Sequence, residues 1–252
     1  MGEETGMRLH STVAYGILAR CCLATGQWEE ARTYTALSLR RCVENGIYEY
    51  FRAKTDYGPV LQFAYDGGIE PDCTKQLMAF AGYKVKKVYV QTFGEFAVFP
   101  FHDRNIPIKT RSKKERELFA FLLDAGEQGA TKEQLYSSLW SESESQNVKG
   151  LISVTLAQLK KDLAPLGIDE LIQCRDRRYR VCRDELACDF ELFERVMSKK
   201  SPIDGGTSTA LLSLYSGEYL EDFEALWATA KRIKYNDICE SAVNLASQGL
   251  KE

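Results

Sequence analysis

Arg175-Asp176-Arg177-Arg178-Tyr179-Arg180 places four arginines within six residues, between two runs, 171–174 and 179–182, rich in strand-forming side chains. Strand, turn and strand in so short a space read as a hairpin, and Arg175, Arg177 and Arg178 crowd its tip. Like charges at one turn repel one another unless an anion is to be met. Upstream, three helices are legible. Ser112-Lys113-Lys114-Glu115 is a capping box opening a helix with Leu118, Phe119, Phe121 and Leu122 inward, and Gly126 and Gly129 stop it. Thr131-Lys132-Glu133-Gln134 is a second capping box, leading Leu135, Tyr136, Leu139 and Trp140. Polar residues 141–146 form a turn, and a third helix spans 147–163 until Pro165 and Gly167 end it. Before all three, 88–93 and 95–99 read as strands separated by Gly94, and Ile106-Pro107-Ile108 as a short third. Short strands, three capped helices and a basic hairpin, in that order, make a winged helix-turn-helix.

Placed at about 100° per residue, Val148, Leu151, Ile152, Leu156, Leu159 and Leu163 of the third helix share one face, which is its core stripe. The opposite face carries Gly150, Ser153, Val154, Ala157 and Lys161, flanked by Lys149, Gln158 and Lys160; Asp162 is the helix's one acid. Small residues let a helix lie close to another surface. In a major groove Gln158 suits an adenine edge, Val154 a thymine methyl, and the lysines phosphates. A plainly solvated face is the alternative for this helix alone, and a surface hairpin with scattered arginines the alternative for the wing.

The net charge of −3 conceals a division. Residues 1–83 carry 8 basic and 10 acidic side chains, residues 84–183 carry 18 and 13, and residues 184–252 carry 7 and 13. The middle is basic between acidic flanks, which points to a polyanionic partner for the middle alone. Other classes find little support. The eight cysteines show no Cys-x-x-Cys spacing and the two histidines, His10 and His102, lie far apart, so reduced and mostly buried thiols are expected, with no metal site. Phosphate-binding glycine loops are absent and no cofactor is implied. No histidine sits with a nucleophile and no carboxylate pair marks a cleft, so the chain does not read as an enzyme. No apolar run approaches the ~20 residues of a membrane helix, and the acidic start Met1-Gly2-Glu3-Glu4 is unlike a secretory signal, so a cytoplasmic protein is expected.

The first 83 residues read as helices: Val13, Ile17, Leu18 and Cys21 recur at helical spacing, Thr25-Gly26-Gln27 breaks the run, and a second helix covers 28–43. Tyr15, Leu18, Ala19, Cys22, Gly26, Trp28 and Ala31 fall at the spacing of a tetratricopeptide (TPR) helix pair, a plain helical bundle being the alternative. Residues 48–65 and 71–83 supply further helices. After Asp184, Asp189 caps a helix with Phe190, Phe193 and Val196 inward, 201–207 is a linker, Leu211 to Tyr215 a short helix, and 223–250 a long one carrying Leu226, Trp227, Ile233, Ile238 and Val243. The fold class is thus mainly α with a small β component, in three domains: 1–83 TPR-like, 84–183 winged helix and 184–252 helical.

Gln91-Thr92-Phe93-Gly94-Glu95-Phe96, the helix 113–123, Thr131 to Leu135 with Leu139-Trp140, the helix 147–163 and Arg175…Tyr179-Arg180-Val181 resemble an OmpR/PhoB-type winged helix. Asp189-Phe190…Phe193-Glu194, Leu214-Tyr215-Ser216-Gly217-Glu218-Tyr219-Leu220, Trp227 and Arg232 resemble the start of a bacterial transcriptional activator domain (BTAD). That order is similar to SARP/AfsR-type activators, and the helical front to the repeat region of MalT-like regulators. The resemblance implies a sequence-specific regulator, an activator, that binds double-stranded DNA as a homodimer on direct repeats and touches RNA polymerase. It implies base contacts from Ser153, Val154, Ala157 and Gln158 and backbone contacts from Lys149, Lys160 and Arg175; the charge pattern adds Lys161, Arg177 and Arg178. Family members usually carry arginine at the position of Gln158 and glycines at those of Asp176 and Arg178. These departures imply either a shift of phosphate contact toward the wing or weaker binding by a monomer. It also reads as a piece of a larger regulator, ATPase segment and further helical pairs lying outside it. A rival reading is an interaction module whose winged helix contacts protein, motivated by the small uncharged face of Gly150, Ser153, Val154 and Ala157.

Overall fold

The computed structural model describes residues 2–52, 57–141, 148–167, 171–199 and 205–249, which divide into two compact units at Val85 and Lys86. The first unit is all helical: α1 (Gly2–Ala24), α2 (Trp28–Glu44), α3 (Glu49–Arg52), α4 (Gly58–Asp66) and α5 (Pro71–Ala81). The further helices expected over 48–65 and 71–83 are α3, α4 and α5, with 53–56 outside the described residues. Of the residues at the TPR repeat spacing, the small Ala19, Cys22 and Ala31 are buried, whereas Leu18 and Trp28 face solvent. Gly16 also packs closely, the Tyr57 ring lying where a Cβ would stand.

The second unit holds β1 (Val88–Gln91), β2 (Ala97–Pro100), α6 (Lys113–Asp124), β3 (Ala130–Thr131), α7 (Lys132–Leu139) and α8 (Val148–Leu163). These are followed by β4 (Ile172–Arg175), β5 (Arg178–Val181), β6 (Leu186–Cys188), α9 (Asp189–Lys199), α10 (Gly205–Leu214) and α11 (Thr229–Gly249). One sheet runs β2-β1-β6 and the other β3-β5-β4. The fold is mainly α with a small β component, a winged helix at its centre.

The third strand expected at 106–108 does not form. Pro107 has no N–H to give a ladder, Ile106 is exposed, and the segment's tie to the sheet is the N–H of Ile108 donating to the Val98 carbonyl at 2.7 Å. The third strand is instead β6, on the opposite edge of the sheet, pairing parallel to β1 with Val90 opposite Cys188. This pairing carries the chain directly from the wing into α9.

Asp189, the first residue of α9, is buried. Its carboxylate accepts from the N–H of Thr92 (2.7 Å), of Phe93 (3.0 Å) and of Phe190 (2.8 Å), and from the Thr92 hydroxyl (2.5 Å). The side chain thus caps its own helix and the end of β1 at once. Burial pushes its carboxyl above the ordinary range, and these donors pull it partly back.

Phe93 is fully buried among the rings of Phe193, Tyr215, Tyr219 and Tyr235, with centroids 5.1–6.1 Å away. Residues 92–94 and 216–220 approach backbone to backbone. Leu220 N–H donates to the Thr92 carbonyl, Gly94 N–H to that of Glu218, and a Cβ on Gly217 would stand 2.9 Å from the Gly94 Cα. Winged helix and C-terminal helices consequently share one core.

The long helix expected from Phe223 starts later, after a 3-10 turn at Leu226–Ala228. It buries Tyr235, Cys239 and Ala242; Leu226, Ile233 and Val243 face solvent, Leu226 being 91% exposed. Arg232 sets this phase, its guanidinium donating to the carbonyls of Tyr219, Leu220 and Phe223. Residues 201–204 of the expected linker lie outside the described residues, and 205–207 already belong to α10.

Candidate nucleic-acid interface

α6, α7 and α8 pack through Leu118, Phe119, Leu122, Leu135, Leu139, Ile152, Leu156, Leu159 and Leu163, all buried. Thr131 and Gln134 form the reciprocal capping box of α7, side chain to backbone at 3.2 and 3.0 Å. The box at α6 is only half made. Ser112 Oγ accepts from Glu115 N–H, but the Glu115 carboxylate accepts from Arg111 N–H rather than that of Ser112. Arg111 is thereby held beside the end of α8.

On α8 the core stripe is narrower than the wheel suggests: Leu151 is 40% exposed. An exposed surface carries Ser153, Val154 (68% exposed), Ala157, Lys160 and Lys161. The side chains of Val148 and Lys149, and the start of the helix at Asn147, lie outside the described residues. Gln158 is half-buried, its amide donating to Asp162 at 2.7 Å. Asp162, the helix's one acid, turns to Arg111, which meets it through backbone N–H (3.1 Å) and guanidinium (3.4 Å). Lys132, at the start of α7, reaches Ser153 Oγ at 3.1 Å.

The wing is a three-stranded sheet, since β3 pairs with β5 in front of the hairpin. Its loop is the two residues Asp176 and Arg177, with φ of 51° and 60°. Positive φ at both central positions is the type I′ geometry, which matches the twist of the strands and ordinarily selects Asn-Gly. Here side-chain-bearing residues accept the strain, and Arg175 and Arg177 are exposed. Arg177→Gly is expected to raise stability by about 0.5–1 kcal/mol, measurable as a higher unfolding midpoint. An unchanged or lower midpoint would contradict the turn described.

Arg178 is positioned otherwise than the charge pattern suggests. Its guanidinium donates to the carbonyls of Gln128 (2.7 Å) and Gly129 (3.2 Å) and to Gln134 Oε1 (3.3 Å). It fastens the wing to the turn before α7. Gly129 makes this contact feasible: at φ 60° a Cβ would stand 2.4 Å from the Tyr179 carbonyl oxygen. Tyr179 is half-buried against the core, and burial raises its phenol.

Lys160 from α8 and Ile172, Gln173, Cys174 and Arg175 of β4 line one groove. The structure thus brings together Lys160 and Arg175, and sets Ser153, Val154, Ala157 and Lys161 on the same exposed helix surface. Sequence reasoning overlooked Arg111, Asp162 and Lys132 as parts of this surface. The available signal was positional: Arg111 and Lys132 flank the two caps, and Asp162 lies one turn from Gln158.

All eight cysteines are free, but only Cys22, Cys42, Cys188 and Cys239 are buried; Cys174 is exposed on the wing. Among the described residues no group of three or more His, Cys, Asp or Glu could hold a metal ion, and no helix is long and apolar enough to cross a membrane.

No family model matches the chain, and no curated protein does. Among solved structures, it is similar to Mycobacterium tuberculosis EmbR in complex with a low affinity phosphopeptide, with a TM-score of 0.55 at 17% identity. The match covers 64% of this chain and 45% of that one, so this chain spans less than half of its counterpart's length. At that identity the likeness is one of fold: the chain has an EmbR-like architecture.

Proposed function

We propose that the chain is a sequence-specific transcription regulator of the SARP type, an activator, that reads duplex DNA with α8 in the major groove and the β4–β5 hairpin as wing. The observation that carries this is the surface where α8 and the wing meet. Lys160, Lys161, Arg175 and Arg177 are exposed around it, and Asp162, the helix's one acid, is turned away to Arg111. Cations bordering an acid-free helix face suit phosphates on either side of a groove. The EmbR-like fold supports the same function. Lys160, Lys161, Arg175 and Arg177 take phosphates, with Lys149 as a further candidate. Ser153, Val154, Ala157 and Gln158 face base edges, and Arg178 braces the wing. Dimerisation on direct repeats and contact with RNA polymerase belong to the same proposal.

The test is selection of sites from random duplex DNA, followed by binding of the selected duplex across a salt series. Each phosphate contact contributes about 0.9 to the slope of log K against log salt. Replacing Lys160, Arg175 and Arg177 with alanine should therefore flatten that slope by roughly 2–3, and Arg177→Gly alone by about 0.9. A slope that does not move would remove these residues from the interface. A second function has its own observation: Leu151 and Val154 are apolar and exposed on α8. DNA affinity indifferent to Arg175 and Arg177 would favour a protein partner on that face.

A further inference from the structure

Gln158 and Asp162 are one turn apart on α8, and their hydrogen bond fixes more than distance. The Asp162 side chain is only 8% exposed and is held from outside the helix by the backbone N–H and guanidinium of Arg111. An ionised carboxylate only accepts hydrogen bonds, so the Gln158 atom facing it, 2.7 Å away, is the amide nitrogen. The amide oxygen must then point to the other side. Among the described residues Gln158 makes no other hydrogen bond, so its Oε1 and its second N–H are unoccupied.

We infer that Asp162 is a positioning residue that sets the donor–acceptor polarity of Gln158, so that α8 presents at this position an edge that fits adenine and rejects guanine. This rests on the proposed placement of α8 in the major groove. Adenine offers N6–H₂ to Oε1 and N7 to the remaining N–H, a two-bond match. Guanine offers only the acceptors N7 and O6, which face Oε1 unfavourably. Cytosine can satisfy Oε1 alone through its N4–H₂. A glutamine free to turn over would offer N–H to guanine instead. Arg111, by fixing the carboxylate, denies it that freedom.

The experiment uses the full chain and the duplex obtained by site selection, with each of the four base pairs placed at the position whose preference Gln158→Ala abolishes. The unaltered chain should favour adenine over guanine there by roughly tenfold or more. Asp162→Ala should bring the two within about threefold with the salt slope unchanged. Asp162→Asn should go further. Its oxygen can still accept from Arg111 N–H, its amide then donates to Gln158 Oε1, and the glutamine is turned over to favour guanine. Unfolding midpoints of both variants separate this from loss of fold, and a reversal of preference is not something misfolding produces. A guanine preference in the unaltered chain, or an adenine preference retained in both well-folded variants, would overturn the inference. Salt-sensitive binding with no Gln158-dependent position would overturn it alone. No salt-sensitive binding to any duplex would overturn the proposed function with it.

Discussion

Phe93→Ala is expected to lower the unfolding free energy of the second unit by about 3–5 kcal/mol. The ring is fully buried and touches four others, drawn from α9, α11 and the segment between α10 and α11. Truncation removes the transfer energy of the ring and leaves a void that these neighbours, anchored on separate elements, cannot all close. With an m-value of a few kcal/mol per molar, the urea midpoint should fall by about 1 M or more. Phe93→Leu should recover most of the loss. Because the ring is shared by winged helix and C-terminal helices, probes placed in either should report one transition. Separate transitions, or a cost below about 1 kcal/mol, would mean the shared core is not holding the two together.

Asp189→Ala is the second large effect. It strips the acceptor from Thr92 N–H, Phe93 N–H and Phe190 N–H together, in a place where water has little access. Each stranded donor costs about 1–3 kcal/mol, so a loss of about 3 kcal/mol or more is expected. Asp189→Asn keeps an acceptor and should lose less. Its comparison with the unaltered chain has a defined pH dependence. Burial raises the folded carboxyl above its unfolded value, so the folded state binds the proton more tightly. Stability from that proton is present below the unfolded pKa and is lost as pH rises through the folded one. Asparagine does not titrate, so the advantage of the aspartate over Asn should shrink from acid to neutral pH. Urea midpoints of both proteins across that range measure it, and a widening gap would contradict the environment described.

Much of the central architecture is legible because its signals are local. Caps at Ser112 and Thr131, the apolar spacing of Ile152, Leu156 and Leu159, and the arginine-rich turn each fall within a few neighbouring residues. What escapes the sequence is non-local. β3 is two residues long and exists only through its pairing with β5, and β6 only through β1. The register of α11 is fixed by Arg232 reaching carbonyls 9–13 residues earlier, which apolar spacing does not reveal. The same holds at the candidate interface. Arg178 counts as a free cation in a charge census because its acceptors lie 44–50 residues away. Gln158 looks like an unrestrained side chain until Arg111 is seen to pin its partner.

The parallel pairing of β6 with β1 bears on how this protein can be taken apart. A designer wishing to graft its wing-bearing end onto another scaffold would find a tempting cut after Arg183, where the hairpin is complete. That cut would strip β1 of a neighbour, expose Phe93 and strand the amides that Asp189 satisfies. The portable cassette starts at Lys86 and must keep α9 and the helices after it.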